Sequence, residues 1–156
     1  MGRSEVVYLV RHAKAGERRI WDDDDESRPL SRRGNKQAEA IAKRLAKHGA
    51  TALYSSSYVR CVETLEPLAK TTGNKVRTEQ RLFEGEPFEG VLDLLAEVED
   101  RAVLCSHGDI IPAVIQALER RGMEVETPPD WRKSSVWVLR RKKGRITKGK
   151  VWPPPC

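Results

Sequence analysis

Long apolar runs are missing from this 156-residue chain. A membrane-spanning helix needs about 20 consecutive, mostly apolar residues, so no membrane partner is expected. The opening residues also lack the apolar stretch of a signal peptide, and a cytoplasmic location is the expectation. Cysteine is scarce: Cys61, Cys105 and Cys156 are an odd number at unrelated spacings, which argues against a disulfide framework. Cys61 and Cys105 lie in apolar patterns and read as packing residues. Spaced metal ligands are lacking too. The acidic run Asp22-Asp23-Asp24-Asp25-Glu26 has neither the alternating ligands nor the turn glycine of a calcium loop. It reads as a solvated loop, and neither metal nor other cofactor is expected. With no internal repeat and no linker-like stretch, residues 1–156 read as one domain, of which 151–156 form an extended or disordered tail.

What is present is a globular composition, 38% hydrophobic and 33% charged, and apolar runs that end in reactive side chains. Val6-Val7-Tyr8-Leu9-Val10 reads as a strand buried on both faces of a parallel sheet, and it ends in Arg11-His12-Ala13-Lys14. Ala102-Val103-Leu104-Cys105-Ser106 has the same form and ends in His107-Gly108-Asp109. A third strand, Ala52 to Ser55, leads into a helix over about Val59 to Thr72 with Arg60 in its first turn. Hydroxyls, a guanidinium and the free N–H groups of a helix start each favour an anion. Ligands gather at the carboxyl ends of strands in open α/β sheets, so these three ends are expected to line one crevice.

Between them, Ala38, Ile41, Ala42, Leu45 and Ala46 space a helix that Ser31 caps and Gly49 ends. His48, at that helix end, has a bland explanation in the macrodipole. Val76 to Thr78 is a weak edge strand, Val91 to Val98 a short helix, and a further helix, capped by Asp109, runs to Gly122. Ser135 to Leu139 and Arg145 to Thr147 form an antiparallel hairpin around Lys143-Gly144. This order of elements predicts an α/β domain with a mostly parallel sheet.

The net charge of +6 is unevenly spread, because nine of the 29 Lys and Arg lie from Trp131 onward with no Asp or Glu among them. Arg140, Arg141, Lys142 and Lys143 at the hairpin tip are expected to extend the crevice if its ligand is a polyanion. A polyanion-binding module built on this hairpin with Trp131, Trp137 and Trp152 is the non-enzymatic alternative. Nucleic acid is the disfavoured partner, since charge runs are usually solvated faces.

Taken in order, Arg11-His12, Ser55-Ser56-x-x-x-Arg60-x-x-x-Thr64 and Ser106-His107-Gly108 resemble the motifs of the histidine phosphatase superfamily, in the branch that also holds the phosphoglycerate mutases. With Arg28-Pro29-Leu30-Ser31-x-Arg33-Gly34 added, the chain is most similar to the small SixA-type phosphohistidine phosphatases. It also resembles the phosphatase domain that some actinobacterial Nudix hydrolases carry. The resemblance runs from about Val6 to Leu139. It implies a three-layer αβα sandwich of the phosphoglycerate mutase-like kind and a metal-independent phosphatase acting through a covalent phosphohistidine.

His12 is thereby implied as nucleophile, which suits an imidazole, neutral at pH 7 without a strong base. Arg11 and Arg60 are implied as phosphate-binding forks, and His107 as a second histidine that donates to the transferred group. Lys14, Ser57 and Gly108 complete the expected phosphate-binding set. The general acid stays open: Glu84 matches best, with Glu86, Glu89 and Asp109 in competition. A phosphate ester or phosphohistidine is the expected substrate, with a nucleotide or polyphosphate as the alternative that the Gly108 context and the basic segment favour. The expected partner is therefore a phosphorylated small molecule, a nucleotide or a phosphohistidine protein. The long insertions of true mutases are missing, which disfavours mutase activity.

Overall fold

The computed structural model describes residues 3–156; the first two residues of the expected 1–156 domain lie outside the described residues. Seven strands, β1 (Glu5–Arg11), β2 (Ala52–Ser55), β3 (Val76–Thr78), β4 (Ala102–Ser106), β5 (Glu124–Val125), β6 (Val136–Lys142) and β7 (Arg145–Trp152), form one sheet in the order β3-β2-β4-β1-β6-β7-β5. The first four in that order are mutually parallel. β6 is antiparallel to both β1 and β7, and β5 runs parallel to β7. Four helices, α1 (Arg32–Lys47), α2 (Val59–Thr72), α3 (Glu89–Glu97) and α4 (Ile111–Arg120), complete the αβα sandwich.

β1 is apolar from Val6 to Val10 because it lies mid-sheet with helices on both faces. Its alternation sends Val7 and Leu9 into the core formed by α3 and α4, while Tyr8 and Val10 enter the one formed by α1 and α2. Burying each such side chain contributes about 1.5–3 kcal/mol, so the position of β1 is strongly fixed. Register then fixes the chemistry: Arg11 pairs with Ser106 across two parallel strands, so His12 and His107 emerge side by side.

The loop after β1 is held by the Arg28–Gly34 motif. The Ser31 hydroxyl donates to the Lys14 carbonyl and accepts from the Gly34 amide at the start of α1. A Cβ on Gly34 would sit 1.9 Å from the Lys14 oxygen, so only glycine allows this approach. The acidic run is solvated as expected at Asp22, Asp23, Asp24 and Glu26, while Asp25–Ser27 forms a 3₁₀ turn capped by Asp24, and a second such turn, Arg18–Ile20, precedes the run.

Three further expectations are corrected. Asp109 does not cap α4, whose side-chain cap is missing, and its carboxylate instead accepts from the Gly85 amide at 2.8 Å. Val151 and Trp152 are not tail but the end of β7, opposite Trp137 and Val136. The ladder persists until Pro153 removes the next donor, and the Cys156 carbonyl accepts from Gln37. Finally, the basic hairpin tip does not extend the crevice. Because β6 runs antiparallel to β1, Arg141 lies opposite Glu5, roughly 20 Å along the strand from Arg11 at ~3.3 Å per residue. Arg141 is itself buried, paired with Glu5 at 2.9 Å and donating to the Leu95 carbonyl.

Candidate active site

A cleft of about 420 Å³ opens over the carboxyl ends of β1 and β4, lined by Arg11, His12, Lys14, Arg60, Glu84 and Gly108, among others. The His12 Nδ1 lies 2.8 Å from the Ala13 carbonyl oxygen. A carbonyl can only accept, so Nδ1 carries the proton and the Nε2 lone pair is left for the cleft. Burial, opposed by that hydrogen bond and reinforced by His107, Arg60 and Arg11, pulls the His12 pKa down to about 3. At neutral pH the ring is an uncharged base among cations.

His107 packs edge-on to His12, with ring centroids 5.4 Å apart. Its Nε2 is engaged from behind by the Ser56 hydroxyl at 2.9 Å and the Cys61 sulfur at 3.5 Å. Cys61 is therefore more than packing. Burial would raise its thiol pKa, but hydrogen bonds with Cys105 and His107 and the charges of His107 and Arg60 pull it down to about 6, while that of Cys105 goes up. Among the described residues, the His107 Nδ1 has no hydrogen-bond partner, and the same holds for Nε of Arg11 and Nε of Arg60. Unpaired buried donors are costly, and the three side chains that carry them gather around His12: Arg11 and Arg60 line the same cleft and His107 packs against its ring.

Each arginine is held by backbone. Arg11 donates from Nη1 to the Trp131 carbonyl at 2.6 Å and lies flat over Gly108, where a Cβ would come within 2.6 Å of the guanidinium carbon. Burial lowers the pKa of Arg11, an effect Asp109 opposes. Arg60, 1% exposed, is anchored through its helix: Thr64 Oγ1 donates to the Arg60 carbonyl and accepts from the Ala13 amide. That contact explains the Arg60-x-x-x-Thr64 spacing, one helical turn. The Arg60 fork holds the Asp25 carbonyl at 2.8 Å, the Asp25 carboxylate at 3.0 Å and Glu84 at 3.2 Å. Burial alone would raise the Asp25 pKa, but the hydrogen bond from Arg28 and the charges of Arg60, Arg28 and Arg18 hold it below the usual carboxylate range.

With this geometry in place, the comparison with known proteins is decisive for the family. Residues 7–93 match the model of the histidine phosphatase superfamily, branch 1. The chain belongs to that superfamily. The 8-oxo-(d)GTP phosphatase of Mycolicibacterium smegmatis is 36% identical to this histidine phosphatase-family chain over 159 aligned residues, covering 97% of this chain and 49% of the relative. The chain thus spans about half the length of that relative. The SixA protein of Agrobacterium tumefaciens superposes with a TM-score of 0.71 at 25% identity, covering 88% of this chain and 94% of that one. SixA from Nakamurella multipartitia gives 0.74 at 23% identity, covering 99% and 98%, a likeness of fold.

Of the residues expected from the family motifs, His12, Arg11, Arg60, His107, Glu84, Lys14 and Gly108 come together. Ser57 does not: its hydroxyl donates to Glu26, and Ser56 takes the inward position. Among the four acids, Glu84 and Asp109 line the cleft. Glu84 Oε1 stands 3.8 Å from His107 Nδ1. Glu86 and Glu89 are not among the lining residues, and Glu89 is exposed in the first turn of α3. Sequence reasoning missed Arg18, Arg28, Lys133 and Asp25. Arg28 was visible in the Arg28-Pro29-Leu30 motif. Lys133 carried no local signal; it reaches the cleft because the segment leading into β6 passes beside Arg11, whose amide donates to the Ser135 carbonyl. Burial, then the charges of Arg11, Arg28, Lys14 and Arg60, lowers the Lys133 pKa. Among the described residues no three His, Cys, Asp or Glu side chains are grouped to hold a metal ion, and no helix is long and apolar enough to cross a membrane.

Proposed function

We propose that this domain is a phosphatase in which His12 Nε2 attacks the phosphorus of a bound phosphate group and forms a phosphohistidine that water then hydrolyses. The supporting observation is the His12 ring itself: Nδ1 is tied to Ala13, which leaves Nε2 free in a cleft also lined by Arg11 and Arg60, with the His107 ring 5.4 Å away. Phosphoryl transfer asks little of a protein beyond positioning and neutralisation of the equatorial oxygens. Two guanidinium groups and an imidazole N–H supply both without a metal ion. Glu84, carried on the loop that Asp109 pins at Gly85, stands where it can give a proton to the leaving oxygen. Brief mixing with ³²P-labelled phosphomonoester should leave acid-labile, alkali-stable phosphate on the protein. Label that persists in His12→Ala would refute the assignment, as would complete loss of turnover in EDTA for the metal-free route.

For the substrate, a small phosphate ester or phosphohistidine needs only the inner cradle. A nucleotide carrying a second phosphate is favoured by the outer cations Lys14, Arg28 and Lys133, which line the same cleft. The relative named an 8-oxo-(d)GTP phosphatase supports that choice. Turnover of nucleoside di- and triphosphates should fall on Lys133→Ala and Lys14→Ala much more than turnover of p-nitrophenyl phosphate. Equal losses would return the small-ester reading.

A further inference from the structure

A second cavity, of about 490 Å³, lies at the opposite end of β1. On this face of the sheet Val6, Arg140 and Lys148 form one cross-strand row and Tyr8, Val138 and Lys150 the next. Val136 and Trp152 form the row after that, and α1 covers it; beyond the end of α1, at His48, the face opens into the cavity.

Three features of this cavity are unexplained by the fold. First, it has an aromatic wall: the Tyr8, His48 and Trp152 rings lie with centroids 5.1 to 6.4 Å apart. The Arg44 guanidinium, 3.6 Å from the Trp152 ring centre, backs this wall with charge. Second, Arg3, Arg101, Arg140 and Lys150 line it. Arg3 and Arg101 share Asp100, at 3.3 and 3.9 Å, whereas Arg140 and Lys150 pair with no carboxylate among the described residues. Arg101 is moreover a non-glycine residue with φ 66°, a left-handed backbone that L residues other than Asn and Asp seldom adopt, and its guanidinium packs onto Gly49 next to His48. Third, although Tyr8 is only 2% exposed as a residue, its hydroxyl makes no hydrogen bond to the described residues, so it is open to a ligand in the cavity that Tyr8 lines.

We infer that this cavity is a binding site for a nucleoside phosphate, distinct from the His12 cleft. Aromatic rings offer a base a surface to stack on. The unpaired Arg140 and Lys150 supply charge for a phosphate, and the Tyr8 hydroxyl a hydrogen bond to sugar or base. The volume lies within the ~300–1,000 Å³ of small-molecule pockets, which suits one nucleotide and is short for a strand. The site stands independently of the proposed hydrolysis, since none of its lining residues belongs to the cleft.

Amide and indole NMR shifts of the whole chain, titrated with AMP, test this. AMP should shift resonances of Tyr8, His48, Lys150 and Trp152, and should do so equally in Arg60→Ala, which disables the cleft. Inorganic phosphate and adenosine should each bind there at least tenfold more weakly than AMP. The Arg140→Glu/Lys150→Glu pair should weaken AMP at least tenfold with the spectrum otherwise retained; if the pair misfolds, Arg140→Ala and Lys150→Ala singly should each weaken it several-fold. Shifts confined to the His12 cleft, affinity untouched by these changes, or phosphate binding as tightly as AMP would overturn the inference. Binding of a single-stranded octanucleotide with AMP silent would overturn it in favour of a strand.

Discussion

The carboxylate of Asp25 lies 3.0 Å from Nη2 of Arg60, so an acid from the loop after β1 occupies the arginine that the cleft offers to phosphate. The same carboxylate meets Arg28 at 3.0 Å and Arg18 at 3.2 Å. A phosphate group must compete with it or share these cations. Asp25→Asn keeps the shape and removes the charge, and is expected to tighten inorganic phosphate and vanadate as inhibitors by roughly two- to fivefold, the scale of a partly exposed ion pair. Inhibition constants measured on both proteins check this. Weaker inhibition would mean that Asp25 serves mainly to orient Arg60.

Gly108→Ala is expected to cost activity rather than fold. The added methyl would meet the Arg11 guanidinium at 2.6 to 2.8 Å and push its unpaired Nε out of the cradle. Loss of one preorganised donor costs about 10²–10³-fold in kcat. Gly34→Ala is the contrasting case, since its methyl meets backbone at 1.9 Å. Overpacking of this kind costs about 1–3 kcal/mol, a fall in Tm of roughly 3–10 °C for a chain of this size. Steady-state kinetics and thermal melts on the two variants separate the outcomes.

Glu84→Gln is expected to slow substrates with alkoxide leaving groups by about 10²–10³-fold and to leave p-nitrophenyl phosphate within a few-fold, because nitrophenolate departs without a proton. Equal losses on both would move the proton donor to Asp109, the other acid lining the cleft.

The pH dependence follows from the His12 pKa, held near 3 by burial and neighbouring cations. In the unfolded chain a histidine titrates near 6.5, so below that pH the unfolded state binds a proton that the native state refuses. The contribution of His12 to stability is complete above about pH 6.5 and is lost progressively as pH falls toward 3. Urea titrations at pH 7.5 and 5 should show lower stability at 5. Across the same range the His12 ring carbon resonances should stay at neutral-imidazole positions, and a transition between pH 6 and 7 would contradict the buried, uncharged nucleophile.

Amino-acid order alone carries the helices, the strands other than β5 and the last half of β7, and the ends at which chemistry gathers. Val6 to Val10 and Ala102 to Cys105 are apolar at every position because both faces are covered, and such runs are legible without coordinates. The motif residues follow these strands directly, so His12 and His107 could be placed from chain order alone. Tertiary structure decided whatever depends on distance across the chain. Which serine turns inward, Ser56 rather than Ser57, follows from the path out of β2. That Asp25 closes on Arg60, and that Lys133 joins the cleft, follows from segments brought together by the sheet. The fate of the basic hairpin was settled by strand direction: an antiparallel β6 carries Arg140 to Lys143 away from His12, and local charge patterns hold no record of direction. Local periodicity records burial, which each residue experiences at its own position; proximity between distant segments is set only when the sheet is assembled.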